Sequence, residues 1–477
     1  VQKTMEYTTK ETLDALFLKQ KKAFLANNNP SYEQRMEWLR SLEKWMTELR
    51  EDIQIAVSQD FSVHSPAITD IFETGGVLGR NRYIQAFLKE WMTPEARPLP
   101  AEVLGSSTCE VVLQPQGVMG NISPWNFPIE CALVMVNEML AAGNRVIVKV
   151  SELAPATAQL LSRSVGNYFD EEVLAIVVGG VELSQYFSTL PWDHLTYTGN
   201  TAVGKLIMQE AAKNLTPVTL ELGGKNPTIF LEDGIDEQHI LEYLSFKFCK
   251  SGQICTSPDY VLIPEEQLQS WIAIAKSVWQ KAYPKYIGHP DVTGIINNRH
   301  YQRLLDWLSE AEQSGAQVIP LHDEEPDPES RQMPMYLIVN PNEQLAVMRE
   351  EVFGPITPIK TYAKVDEAYR YIASRERPLA SYLVTAGRNE SDIELFKRSI
   401  ISGGAGINVF GFQAAWPGAP FGGTGGSGIG CHAGKEGFVN YCHAKTVFNC
   451  APDNPVKASV CAPYGEMTDA VAQASIG

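Results

Sequence analysis

The chain has 477 residues, 44% of them hydrophobic, enough to bury large cores and to build two or three domains. Its 56 acidic residues outnumber the 39 basic ones, for a formal charge of -17, and no basic block could follow a phosphate backbone, which excludes nucleic acid as a partner. No apolar run approaches the roughly 20 residues of a membrane span, and VQKTMEYTTK lacks the layout of a signal peptide. A soluble, cytoplasmic protein without a membrane partner is expected, with Met5 as a native start behind four added residues.

The first clear strand is TCEVVLQP at 108 to 115. PWNFP (124 to 128) follows, with Asn126 between aromatics and prolines, where a fixed amide could donate a hydrogen bond into a dry cleft. RVIVKV (145 to 150) is a compact apolar strand, SELAPATAQLLSRSVGNYF (151 to 169) opens as helices do with Ser, Glu and Pro, and VLAIVVGG (173 to 180) is a second strand. This βαβ unit implies a parallel sheet with ligands at the carboxyl ends of its strands. Lys149 and Glu152 stand at one such end. There they suit ribose hydroxyls, the lysine as donor and the carboxylate as acceptor, and Glu152 would repel the extra phosphate of NADP.

HLTYTGNTAVGKLIMQEAAKN (194 to 214) repeats the logic. Its turn, Gly199-Asn-Thr201-Ala-Val-Gly204, resembles a dinucleotide fingerprint with Thr201 in place of the middle glycine. Amides at the helix start, with a hydroxyl beside them, could hold a diphosphate, although many helices begin this way with no ligand. LELGGKNP (220 to 227) then sets Glu221 at the end of an apolar strand, just before a Gly-Gly turn.

The eight cysteines contain no Cys-x2-Cys pair and no neighbouring His with zinc-ligand spacing. Reduced thiols and no metal are expected. EQHILEYLSFKFC (237 to 249) spaces Ile240, Leu244 and Phe248 as one helix face, Lys250 and Gly252 end that helix, and DYVLIP reads as a strand closed by Pro264. Cys255, in KSGQICTSP, thus lies in a helix-to-strand turn, where functional side chains concentrate, whereas Cys249 reads as a small buried hydrophobe. Farther on, EEVFGP (350 to 355) sets Glu351 beside an aromatic and a turn, and APFGGTGGSGIG (419 to 430) is a glycine-dense loop. Each stretch alone has an ordinary reading as a turn, a cap or an exposed carboxylate. Their joint occurrence does not.

SPWNFP, KVSELAP, TGNTAVGK, LELGGKNP, GQICTSPDYVLIP, EEVFGP and PFGGTGGSGIG, in this order, resemble the aldehyde dehydrogenase family over about residues 10 to 450. GKEGFVNYCHAKTVF (434 to 448) is most similar to the class 3 branch and, within it, to coniferyl aldehyde dehydrogenases. The resemblance implies an α/β fold of three parts. A Rossmann-type NAD-binding domain would cover 1-97 and 115-226, an α/β catalytic domain 227-420, and a small β bridging arm 98-114 and 436-450, with 451-477 as a tail. It implies Cys255 as the nucleophile that attacks the aldehyde, forming a thiohemiacetal and then a thioester, with Asn126 and the Cys255 amide holding the oxyanion. Glu221 would be the base for hydrolysis. Lys149, Glu152, Gly199, Thr201, Gly204, Trp125, Glu351 and Phe353 would bind the cofactor, with Glu351 on the nicotinamide ribose and Phe353 beside the ring. NAD is the expected cofactor and NADP the alternative. The partner is a small-molecule aldehyde and the assembly a homodimer. Acyl transfer to coenzyme A, an aliphatic or semialdehyde substrate, and a non-catalytic relative are the other readings. Asn200 stands where serine is usual, and Cys431-His432-Ala433 where coniferyl-type relatives carry a tyrosine and histidines.

Overall fold

The computed structural model describes residues 7–387, 390–454 and 456–477, so Met5 lies outside the described residues. Two α/β units and a small β arm make up the fold. The first unit is a six-stranded sheet in the order Gly428–Ile429, Val218–Leu222, His194–Gly199, Val118–Ile122, Arg145–Val150, Leu174–Val178. All neighbours are parallel except the first pair. RVIVKV is buried at every position because helices cover both faces, which is why a parallel strand reads as an unbroken apolar run. From Val118–Ile122 the chain steps outward through Arg145–Val150 to Leu174–Val178, then returns to the opposite flank with His194–Gly199. That reversal opens a crevice at the carboxyl ends of the strands, where doubly wound sheets take their ligands.

The second unit is a seven-stranded sheet ordered Gln317–Pro320, Tyr336–Val339, Ile356–Tyr362, Tyr260–Pro264, Pro227–Phe230, Ala380–Val384, Gly404–Ile407, again parallel but for its first pair. Its core is aromatic, with Tyr243, Trp271, Trp279, Tyr286 and Tyr382 all buried. The arm pairs Thr108–Pro115 with Cys442–Asn449 on one side and with Glu95–Arg97 on the other. Glu95–Arg97, grouped with the cofactor domain on sequence grounds, therefore hydrogen-bonds to the arm. After residue 420 the chain crosses back to the first sheet, where Gly428 lies opposite Glu221.

The longer helices before the first sheet are Lys10–Ala26, Tyr32–Glu48, Arg50–Phe61 and Gly75–Trp91. Thr9 and Ser31 start the first two by accepting from the amides of Thr12 and Gln34. Between the third and fourth, Thr69–Thr74 winds as a π-helix, a rare form that recurs near functional sites. Among the described residues no helix is long and apolar enough to cross a membrane.

Candidate active site

Because the strands of the first sheet run parallel, the segments after Ile122, Val150, Gly199 and Leu222 emerge at one edge. They carry Trp125 and Asn126, Ser151 and Glu152, Asn200 and Thr201, and Gly223 and Gly224. The second unit brings Cys255 and Glu351 to the same place, since the Gly223 to Asn226 turn joins the two sheets.

The helix Glu237–Phe248 ends in a tight turn, Cys249–Gly252, in which Lys250 (φ 49°) and Ser251 (φ 52°) take left-handed backbone, and Gly252 follows at φ 73°. A Cβ on Gly252 would lie 2.4 Å from the Gly354 carbonyl, so that position requires glycine. Cys255 follows this strained turn and is pinned on both sides. Asn226 donates to the carbonyls of Cys255 (2.7 Å) and Ser257 (2.9 Å), and the Tyr382 hydroxyl donates to the Thr256 carbonyl at 2.6 Å. Gln253 donates to Lys250 and Gly294 and accepts from the Ile296 amide. The Cys255 N–H makes no hydrogen bond among the described residues.

The Asn126 amide is buried and donates to the Gln253 carbonyl at 3.2 Å, beside the cysteine turn. Glu221 is buried as well, and neither of its carboxylate oxygens has a partner. Burial raises its pKa well above the usual carboxylate value, with Arg80 acting against and Glu130 acting with that rise. Cys255 is pushed up too, by burial first and then by the carboxylates of Glu351, Glu130 and Glu221, while the Thr256 N–H works the other way. Cys249 packs with Phe127, Cys131 and Ile254, and burial pushes its thiol up to about 12.

Glu351 meets the turn that follows Glu221. A Cβ on Gly223 would lie 2.0 Å from a Glu351 oxygen, so only glycine admits that carboxylate. Its other oxygen is buried and unpartnered, and burial, followed by Asp259, raises its pKa to about 8. Phe353, held at φ 45°, sets its ring edge-on to Trp125 with centroids 5.4 Å apart, forming an aromatic wall. At the other end of the crevice the Lys149 ammonium, 2% exposed, faces Glu152 at 2.8 Å, while Glu152 reaches solvent. Burial lowers the lysine pKa and Glu152 partly restores it.

The turn expected near the diphosphate makes contacts of its own. The Thr201 hydroxyl is committed to the Gly426 carbonyl at 3.2 Å, and Asn200 rather than a ligand takes the Ala202 amide at 2.8 Å. Gly204 serves packing, since a Cβ there would lie 2.7 Å from the Leu222 side chain. What remains open to a ligand, namely Lys149 with Glu152 at one end and an orphaned Glu351 oxygen at the other, suits the two riboses of a dinucleotide. Buried carboxylate oxygens without donors are rare and call for one.

Two clusters escaped the reading of motifs. Lys250, 0% exposed, donates to Glu73 at 2.6 Å and to the Asn126 carbonyl at 2.5 Å, and it lies over the rings of Phe61 and Phe127. The other Glu73 oxygen accepts from the amides of Ile129 and Glu130, at the head of the helix Glu130–Ala141. Arg80, Glu138 and His432 form a second buried group beside Glu221. Glu138 alone gave a sequence signal of charge inside an apolar helix, and His432 stood out only as part of the departure at Cys431-His432-Ala433.

An unpaired cysteine, a buried amide and a buried, unpartnered carboxylate lie at the crevice between two α/β units, an arrangement that belongs with the oxidoreductases. The profile of the Aldehyde dehydrogenase family matches residues 1–447, and the chain belongs to that family and is an aldehyde dehydrogenase. It is 39% identical to a coniferyl aldehyde dehydrogenase of Pseudomonas sp. (strain HR199), over 96% of this chain and 94% of that one. It is 35% identical to aldehyde dehydrogenase family 3 member A2 of Pongo abelii, over 89% and 86%. Among solved structures, a substrate-bound AldH of Staphylococcus aureus superposes with a TM-score of 0.90 at 30% identity, over 98% and 99% of the chains. A Mycobacterium tuberculosis aldehyde dehydrogenase complexed with NAD+ superposes at 0.82 and 25% identity, over 94% and 92%.

Proposed function

We propose that the protein oxidises an aromatic aldehyde of the coniferyl type to its carboxylic acid, with NAD as electron acceptor and Cys255 as the covalent carrier. The observation that carries this reading is the meeting of Cys255, the Asn126 amide and the unpartnered Glu221 carboxylate. Cys255, having lost its proton, adds as a thiolate to the aldehyde carbon, and the resulting oxyanion takes hydrogen bonds from the Asn126 amide and the Cys255 N–H. One such donor is typically worth about 3 kcal/mol of transition-state stabilisation. A nicotinamide, when bound, would supply the hydride acceptor, and Cys255 would hold the oxidised acyl group as a thioester. Glu221 takes a proton from water, the water oxygen attacks the thioester, and the acid departs as the thiol is restored. Lys149 and Glu152 would hold the adenosine ribose, Glu351 the nicotinamide ribose, and Trp125 with Phe353 would flank the ring. The Glu152 carboxylate favours NAD over NADP by like-charge repulsion. The names of the curated relatives support the coniferyl reading, and the aromatic wall of Trp125 and Phe353 is compatible with it.

Cys255→Ala abolishes aldehyde oxidation while NAD binding, followed by protein fluorescence, stays near normal. Glu221→Gln allows a first turnover and then stalls, with an acyl adduct on the protein visible by mass spectrometry. Wild-type turnover from the alanine variant, or unchanged steady-state turnover without an adduct from the glutamine variant, overturns the assignment. Rates with cinnamyl-type, benzaldehyde-type and aliphatic aldehydes, using NAD and NADP, test the substrate and cofactor together.

A further inference from the structure

The chemistry above leaves Glu221 without any protein donor, yet a histidine lies beside it. His432 Nε2 is 3.9 Å from Glu221 Oε1, about 1 Å beyond a normal hydrogen bond. Its Nδ1 lies 3.1 Å from a terminal nitrogen of Arg80, and that same nitrogen donates to Glu138 at 2.8 Å. A guanidinium offers only donors, so Nδ1 must accept and the ring proton must sit on Nε2, facing Glu221. Burial and the Arg80 charge hold the ring well below its ordinary pKa, and His432 is therefore neutral.

The backbone holds this arrangement firmly. His432 and Phe421 exchange both main-chain hydrogen bonds, at 2.7 and 2.8 Å. The next residue, Ala433, is fully buried at φ 71° and ψ 155°, a region that is nearly glycine-only. Such strain persists only where the surroundings over-determine it, and it clusters at functional sites.

We infer that His432 is a positioning residue for the hydrolytic step: its Nε2–H, aimed by Arg80, steadies the Glu221 carboxylate as an ionised acceptor of the water proton. The inference rests on Glu221 being the water-activating base. The groups around that carboxylate come from several elements. Arg80, on the helix Gly75–Trp91, favours its charge, and Glu130, at the head of the helix Glu130–Ala141, opposes it. Cys255, Cys431 and Tyr441 feel its charge in turn. His432 is the neutral donor among them.

An activated ester, 4-nitrophenyl acetate, separates the steps, because it acylates Cys255 with no hydride transfer. The burst of nitrophenolate reads acylation, and the steady state reads hydrolysis. In His432→Asn the amide is too short to reach the position of Nε2. The burst is expected to stay as in the wild type, the steady-state rate to fall about tenfold or more, and the acid limb of its pH profile to move to higher pH. His432→Gln, whose amide nitrogen can stand where Nε2 does, restores most of the rate and the original limb. Asparagine and glutamine variants that behave alike, an unmoved acid limb, or a burst that falls in step with the steady state overturns the role of His432. Glu221→Gln, assayed alongside, gives a burst followed by a stall. If it instead turns over freely, the base assignment itself fails, and that result is distinct from any outcome at His432.

Discussion

At Cys255, burial and three carboxylates oppose the thiolate that its chemistry uses. Two members of that group change charge near neutrality, since burial pushes Glu130 up to about 7 and Glu351 up to about 8, and Glu130 is the one not expected to touch the cofactor. Above about 7 the Glu130 charge disfavours the thiolate. Glu130→Gln should therefore make Cys255 severalfold more reactive toward iodoacetamide at about pH 8, measured by mass spectrometry of the peptide that carries it. A linkage effect accompanies this change. The folded value is raised, so ionisation of Glu130 favours the unfolded chain. The cost begins as pH rises through the usual 4.5 and is complete above about 7. Melting temperatures of Glu130→Gln and the wild type should coincide below that window and diverge above it, with the variant the more stable. At the residue scale the candidates could be picked out along the chain, because Cys255, Asn126, Glu221 and Glu351 each stand in a short stretch of distinctive residue types, and the structure places them around one crevice. The partner of the Thr201 hydroxyl, the Gly426 carbonyl, could not be read along the chain, because it lies far off in sequence.

Among elements, the turn Cys249–Gly252 read correctly as the end of a helix, but the reason for its rigidity did not show. Lys250 ties that turn to the Asn126 carbonyl and, through Glu73, links the π-helix Thr69–Thr74 to the head of Glu130–Ala141. One ammonium thus braces three elements around the candidate oxyanion site. Lys250→Met would leave the Glu73 carboxylate buried without its cation. Such a loss costs about 3–5 kcal/mol, whereas removing both charges is often close to neutral. Denaturant unfolding should show that cost in Lys250→Met and recover most of it in Lys250→Met/Glu73→Gln. If the double variant is as unstable as the single one, packing of the lysine stem over Phe61 and Phe127 carries the effect instead of the charge pair.

For the molecule as a whole, the strand Cys442–Asn449 forms one edge of the arm, and among the described residues no strand neighbours its outward side, where Phe448 is half-exposed. An open edge of that length is a template for pairing with another chain. A homodimer joined through the arm is our proposal. Sedimentation should then give about twice the chain mass of 52.8 kDa, and Phe448→Asp should shift it toward one copy. A mass of one chain for the wild type would overturn the proposal.

Residue order by itself determined the local periods and turns: apolar runs that become buried parallel strands, a thiol in a helix-to-strand turn, a carboxylate before two glycines. These follow from interactions between near neighbours, so they can be read along the chain. The tertiary structure alone decided which distant side chains meet. Arg80 joins Glu138 to His432, His432 lies beside Glu221, and Glu73 meets Lys250, because helices packed on the first sheet bring side chains from distant parts of the chain together. There burial removes water as an alternative partner, and each buried charge must find its complement in another segment.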